Sequence, residues 1–103
     1  AALSHFTKTL SDLVGVAGIT VNIIHPGVIE TPHIHELYNM RAERENKTPE
    51  DIEEEYIKRT PIRRILEAEE IGFLIVFLSS VQAGGITGES IGIDGGISRY
   101  ISL

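Results

Sequence analysis

The stretch from Ile19 to Pro32, ITVNIIHPGVIETP, limits what this chain can fold into more than any other. Its first half is rich in β-branched residues and reads as extended, with Ile19, Val21 and Ile23 pointing one way and Thr20, Asn22 and Ile24 the other. Isoleucine on both faces marks a strand covered on both sides. Pro26-Gly27 stops the run. Thr31-Pro32 then opens a helix, because the hydroxyl can cap it and proline suits the first helical position. In open α/β sheets, ligands sit beyond the carboxyl ends of strands, so a strand that turns into a helix in this way is a place to hold one.

The neighbouring segments supply helices and one further strand. Residues 1–14 place Leu3, Phe6, Leu10 and Leu13 along one helical face, while Ala1, Ala2 and Ser4 leave a second, small-residue face for close packing against another helix. Gly15 and Gly18 end it. A helix from Pro32 to Glu45 has Ile34, Leu37 and Tyr38 as its apolar side, with Met40 as a further candidate. Asn46-Lys47 breaks it, and Thr48-Pro49-Glu50-Asp51 starts another, with acids where the helix dipole favours them. That helix runs to Arg59 with Ile52, Tyr56 and Ile57 inward and is otherwise polar, as a surface flap would be. Residues 67–82 form the strongest helix pattern, apolar around almost its whole circumference, which predicts burial on every side. Ala83-Gly84-Gly85 stops it, and a short strand, Ser90–Ile93, closes on Asp94-Gly95-Gly96.

Two short covered strands and a helix with no wet face need more protein than 103 residues contain. The expectation is therefore either an absent N-terminal half or heavy packing between subunits. The opening Ala1-Ala2-Leu3, which reads as the inside of a helix, points to the first.

Composition narrows the partners. A net charge of −6, with the one dense charge run (Glu50–Glu55) acidic, argues against nucleic acid, which needs clustered Lys and Arg. The chain has no cysteine, which excludes disulfides and thiolate metal sites and fits a cytoplasmic setting. The longest apolar run, Phe73–Leu78, is far short of the roughly 20 residues that span a bilayer, so no membrane partner is expected.

Four stretches, AALSHFTKTL, GITVNIIHPGVIETP, TPIRRILEAEEIGFLIVFLSS and ITGESIGIDGG, occur in the order and spacing of a known family. The sequence resembles the C-terminal part of the short-chain dehydrogenase/reductases, most closely the 3-oxoacyl-acyl-carrier-protein reductase type. The resemblance implies an α/β fold: the C-terminal portion of a Rossmann-like doubly wound parallel sheet, in the order helix–strand–helices–helix–strand and incomplete as a domain. Residues 1–103 would belong to one NAD(P)-binding domain, with 33–60 as its variable substrate loop. The implied cofactor is NAD or NADP, the implied substrate a small carbonyl or alcohol. The implied activity is hydride transfer by the parent enzyme.

The resemblance also assigns residues. The loop matching Pro26, Gly27, Val28, Ile29 and Thr31 borders the nicotinamide, with the Ile29 backbone on the carboxamide and the Thr31 hydroxyl on the cofactor. Physical chemistry supports such a site, since Gly27 allows close backbone approach and a helix start aims N–H groups at an anion such as pyrophosphate. The competing reading makes Pro26-Gly27 only a turn and Thr31 only a cap. Leu37, Tyr38 and Met40 are candidates for lining the substrate pocket, against an ordinary amphipathic face. No catalytic residue is assigned. The resemblance implies that the family's glycine-rich turn, its Ser and its Tyr-x-x-x-Lys pair precede the matched region, and none of Tyr38, Tyr56 or Tyr100 has a lysine four positions on. His25, His33 and His35 lack metal-ligand spacing, and no metal is expected. Arg63-Arg64 is suited to gripping a phosphate, but Arg64 matches a structural arginine of the family, which favours an ion pair. Residues 1–14 and 67–94 match the family's subunit contacts and imply a homo-oligomer, dimer or tetramer. The alternative to an enzyme fragment is a catalytically dead truncated chain acting as a structural or oligomerisation module.

Overall fold

The computed structural model of the chain describes residues 2–98; Ala1 and Tyr100 lie outside the described residues. The elements are α1 (Ala2–Val14), β1 (Ile23–Pro26), α2 (Pro32–Glu45), α3 (Pro49–Arg59), α4 (Ala68–Leu78) and β2 (Ser90–Ile93). Short 3-10 turns follow α1 at Gly15–Ala17 and α4 at Val81–Ala83. The class is α/β, as the sequence predicts. The two strands form one sheet and run parallel: Ile23 N–H donates to Glu89 O at 2.8 Å and, four residues on, Gly27 N–H donates to Ile93 O at 3.1 Å. The chain divides into two compact units, one of Ala1–His25 with Ile71–Gly92 and one of Pro26–Glu70 with Ile93–Leu103.

In the first unit, β1 begins later than its sequence pattern predicts. Over residues 21 and 22 the pairing mixes backbone and side chains: Val21 O still accepts Gly88 N–H at 2.7 Å, while side chains take the other partners. Asn22 donates from Nδ2 to Ile86 O at 3.1 Å and accepts from Glu89 N–H at Oδ1 at 3.1 Å. The Thr87 hydroxyl accepts the Val21 N–H at 3.0 Å.

Most of the apolar face of α1 is open within this chain. Leu3, Phe6 and Leu13 are 61–70% exposed, whereas Thr7 and Ser11 are buried. Of the small-residue face, Ser4 meets the start of β2 and Ala2 is exposed. Ser4 Oγ lies 2.7 Å from Ser90 Oγ, and a Cβ on Gly88 would meet Ser11 Oγ at 2.8 Å.

Helix α4 is left uncovered within this chain, in keeping with the expectation that it needs more protein than 103 residues supply. It contains no buried residue, and Phe73, Val76 and Phe77 are all exposed. A two-stranded sheet offers too little surface to cover a helix that is apolar all round. It ends at Leu78, short of Gln82, where Ser79 turns its hydroxyl back onto Ile75 O at 2.8 Å.

The second unit carries the α2–α3 hairpin, and here the sequence signals hold. Thr31 caps α2, and Asn46 closes it in the left-handed region at φ 56°. Thr48 and Asp51 form a reciprocal capping box at the start of α3, with both bonds at 3.1 Å. Tyr38 and Ala42 of α2 and Ile52 of α3 form the buried core of the hairpin, flanked by Ile34 and Tyr56. Arg41 ties the two helices at their edge. It bonds Glu45 from Nε at 2.8 Å and Glu55 from Nη2 at 3.0 Å, while Lys47 reaches Glu55 at 2.6 Å. These cations hold both carboxylates below the usual carboxylate range, Arg41 chiefly at Glu45 and Lys47 chiefly at Glu55.

The capping box generates the first prediction. Thr48→Ala should lower unfolding stability by about 1 kcal/mol, and Thr48→Asp should restore most of it. Urea denaturation checks this; an unchanged midpoint for Thr48→Ala would mean the box contributes nothing.

Candidate functional site

The loop between β1 and α2 is fixed from both sides by backbone. Gly27 N–H is held by Ile93 O, and Ile29 forms a parallel bridge with Leu66, itself buried. In that bridge the donors and acceptors belong to the flanking residues. Leu66 N–H donates to Val28 O at 3.2 Å, and Glu30 N–H donates to Leu66 O at 2.8 Å. In extended backbone, the N–H and C=O of one residue point to the same side, and those of its neighbours to the other. Ile29 therefore turns both its N–H and its C=O to the edge away from Leu66, one donor beside one acceptor.

Gly27 has a packing role that its sequence context does not reveal. A Cβ there would stand 2.7 Å from Asp94 Cβ and 2.8 Å from Asp94 Cα. The close approach this glycine permits is that of the chain after β2, so its place is structural before any ligand arrives. Pro26 is exposed, and Val28 is half-buried with its carbonyl committed to Leu66.

Thr31 does cap the helix: its hydroxyl accepts from Ile34 N–H at 3.3 Å, and it also faces Ile29 O at 3.4 Å, long for a hydroxyl donor. Pro32 has no N–H, and Ile34 has given its own to Thr31. The first turn of α2 is left with the His33 N–H, so it offers an anion less than a bare helix start would. Beside it, the His35 ring contacts the Glu30 carboxylate, pinning α2 to the loop.

The three proposed substrate residues do not share a face. Tyr38 is buried in the hairpin core, in edge contact with the His35 ring at 5.5 Å, whereas Met40 is 68% exposed and Leu37 half-buried. Residues two apart on a helix point about 200° apart, so Tyr38 and Met40 cannot line one wall together. Among the described residues the Tyr38 hydroxyl has no hydrogen-bond partner. Its pKa is pushed up to about 12, first by burial and then by the charges of Glu53 and Glu30.

Arg64 makes a two-pronged pair with Glu70, with Nη1–Oε2 at 2.8 Å and Nη2–Oε1 at 2.7 Å, and so is an ion-pair residue as the sequence suggests. With help from the Glu67 N–H, Arg64 lowers the Glu70 carboxyl to about 2. Arg63 sits in the left-handed region at φ 59° and turns its guanidinium onto Lys58 O. No three metal-ligating side chains come together among the described residues. No helix among them is long and apolar enough to cross a membrane. A hollow of about 240 Å³ in the first unit, lined by Thr20, Asn22, Ile24, Ile75, Leu78 and Ser79, includes none of the predicted site residues.

Sequence reasoning missed Leu66 and Asp94. Leu66 sits in a loop with no periodicity to mark it as a bridge partner. Asp94-Gly95-Gly96 was legible as a turn, but the contact with Gly27 joins residues too distant in sequence for any local pattern to reveal.

This geometry has relatives. The family profile described as enoyl-(acyl carrier protein) reductase matches residues 1–98. The chain belongs to this family of short-chain dehydrogenase/reductases. It is 38% identical over 95 residues to the short-chain reductase protein NovJ of Streptomyces niveus, covering 92% of this chain and 35% of that one. It is 35% identical over 97 residues to the 3-oxoacyl-[acyl-carrier-protein] reductase FabG of Thermotoga maritima, covering 94% and 35%. The crystal structure of L-sorbose reductase from Gluconobacter frateurii, complexed with NADPH and L-sorbose, superposes with a TM-score of 0.85 at 30% identity, covering 97% and 38%. The chain thus spans little more than a third of the length of each of these proteins.

Tyr38 yields a prediction with a defined sign. The folded phenol stays neutral to about pH 12 while the unfolded one ionises from its ordinary 10.0. The contribution is complete below pH 10 and is lost as pH rises through 12, up to about 2.7 kcal/mol in all. Tyr38→Phe should remove this alkaline loss and leave neutral-pH stability equal or slightly higher, since an unmet hydroxyl is deleted. Denaturation at pH 7 and pH 11 checks both; a neutral-pH loss above about 1 kcal/mol would show that the hydroxyl has a stabilising partner.

Proposed function

We propose that these residues orient the nicotinamide and cover the substrate in an NAD(P)-dependent oxidoreductase acting on a carbonyl or alcohol, with 3-oxoacyl thioesters the first substrate class to test. In this reading residues 1–103 are the C-terminal part of one NAD(P)-binding Rossmann-like domain, with 33–60 as its substrate-loop helices. One observation carries it: the outward N–H and C=O of Ile29. A carboxamide has an NH₂ donor beside a C=O acceptor, and a backbone residue that offers both on one edge is its complement. The residues present therefore fit the cofactor.

When bound, the nicotinamide supplies or accepts the hydride. The work of this chain is to bind and orient. Pro26, Gly27 and Val28 set the path of the loop, Ile29 pairs with the carboxamide, and the Thr31 hydroxyl, holding one helix N–H, keeps acceptor capacity for the cofactor. Leu37 and Met40, about 60° apart on α2, form the substrate-facing side, with Tyr38 anchoring the helix beneath them. The proton-moving Tyr and Lys of the family are not among these 103 residues, so turnover requires groups supplied by another part of the working protein.

The proposed setting is the cytoplasm, and the proposed assembly is a homo-oligomer through residues 1–14 and 67–94. The exposed Leu3, Phe6, Phe73 and Val76 favour assembly, and they equally favour a second reading in which the chain is a catalytically dead oligomerisation module. Calorimetric titration with NADH and NADPH separates the two. The cofactor reading predicts saturable binding of at least one, weakened at least tenfold by Ile29→Pro, which removes the N–H, and little changed by Ile29→Val. A folded protein that binds neither contradicts it. Sedimentation tests assembly: a monomer at micromolar concentration contradicts the oligomer.

A further inference from the structure

The turn after β2 touches two things at once, both within the second unit. On one side Asp94 fills the space where Gly27 would carry a Cβ, at 2.7 Å. On the other, the turn receives the segment that ends α3. Ile62 N–H donates to Gly95 O at 3.2 Å, and a Cβ on Gly95 would meet Thr60 Cγ2 and Ile62 Cγ1, each at 2.8 Å. A Cβ on Gly96 would meet Pro61 Cγ, also at 2.8 Å. Thr60 is 3% exposed and bonds Tyr56 O at 2.7 Å, so the last turn of α3 is fixed to the same place. Asp94 holds the turn's shape, accepting Gly96 N–H at Oδ1 at 2.8 Å. Both glycines lie at positive φ, 65° and 90°.

We propose that the Asp94–Gly96 turn is the common seat of the Gly27 loop and of the root of the α2–α3 hairpin, and that Asp94 and Gly95 are positioning residues for that hairpin. The hairpin leaves the Gly27 loop at Thr31 and returns at Thr60, and this turn grips the chain close to both of those points. Its two ends are thereby held to one element that neither of them contains. The seat rests on the proposed function only in what the hairpin covers; the packing itself stands without it.

Gly95→Ala adds a methyl where there is no room and strains the backbone as well. Gly18→Ala separates these effects, because Gly18 lies at φ 76° with nothing within 4 Å of its would-be Cβ. Hydrogen exchange on the full chain should show the amides of α2 and α3 accelerated at least tenfold in Gly95→Ala, with those of α1 within twofold of wild type. Gly18→Ala should leave α2 and α3 unchanged. Adding Ile62→Ala and Thr60→Ser together to Gly95→Ala, which removes the side-chain atoms nearest the new methyl, should slow exchange in α2 and α3 again by at least threefold. The milder Thr60→Ser removes the methyl facing Gly95 and keeps the hydroxyl, so it should fold and speed exchange at residues 56–62 severalfold. The proposal is overturned if Gly95→Ala leaves α2 and α3 within twofold of wild type, if α1 accelerates equally, or if Thr60→Ser changes nothing. NADPH added to the wild-type chain should slow exchange at residues 28–31. Failure there counts against the cofactor reading alone, because the seat is judged from exchange without NADPH.

Discussion

The bridge between Ile29 and Leu66 is the interaction on which the site depends. By taking the carbonyl of Val28 and the amide of Glu30, Leu66 fixes which edge of the loop is spent and which is open. Ile29 is left with a donor and an acceptor on the same side, and backbone groups so placed bind without the entropic cost of ordering a side chain. In sequence, Leu66 lies between Arg64 and Glu70, which are joined by an ion pair at 2.7 Å.

The hairpin attached to this loop is built differently. Its core is small, Tyr38 against Ala42 and Ile52, and its edges are secured by charge and by caps. Such a structure holds its two helices together well but depends on its ends for its place. Those ends are the His35–Glu30 contact and the Thr31 cap at one side, and the Thr60–Ile62 segment against Gly95 and Gly96 at the other.

What could be read in the sequence was what local chemistry determines. Thr31-Pro32 and Asn46 bound α2, Thr48-Pro49 and Thr60 bound α3, and Arg64 stands in an ion pair, because caps, prolines and short-range charges act within a few residues. Family membership was legible for the same reason, in four contiguous stretches. Burial was much less legible. The stripe of Leu3, Phe6 and Leu13 marked one apolar face of α1 but not which residues this chain buries: Thr7 and Ser11 are buried, and Ser11 Oγ stands 2.8 Å from where a Cβ on Gly88 would fall. The pattern on α4 predicted burial that this chain does not provide. Gly27 looked like a ligand's glycine and accommodates Asp94, 67 positions away, a contact no local pattern carries.

The central claim is that the open edge of Ile29 meets the carboxamide of a nicotinamide. The most direct test is the amide resonance of Ile29 in a ¹⁵N-labelled protein titrated with NADPH. A hydrogen bond to the carboxamide oxygen should move the Ile29 amide proton downfield and saturably, while the amides of Glu30 and Leu66, already bonded across the bridge, move less. Saturable NADPH binding that leaves the Ile29 amide where it was would contradict the account.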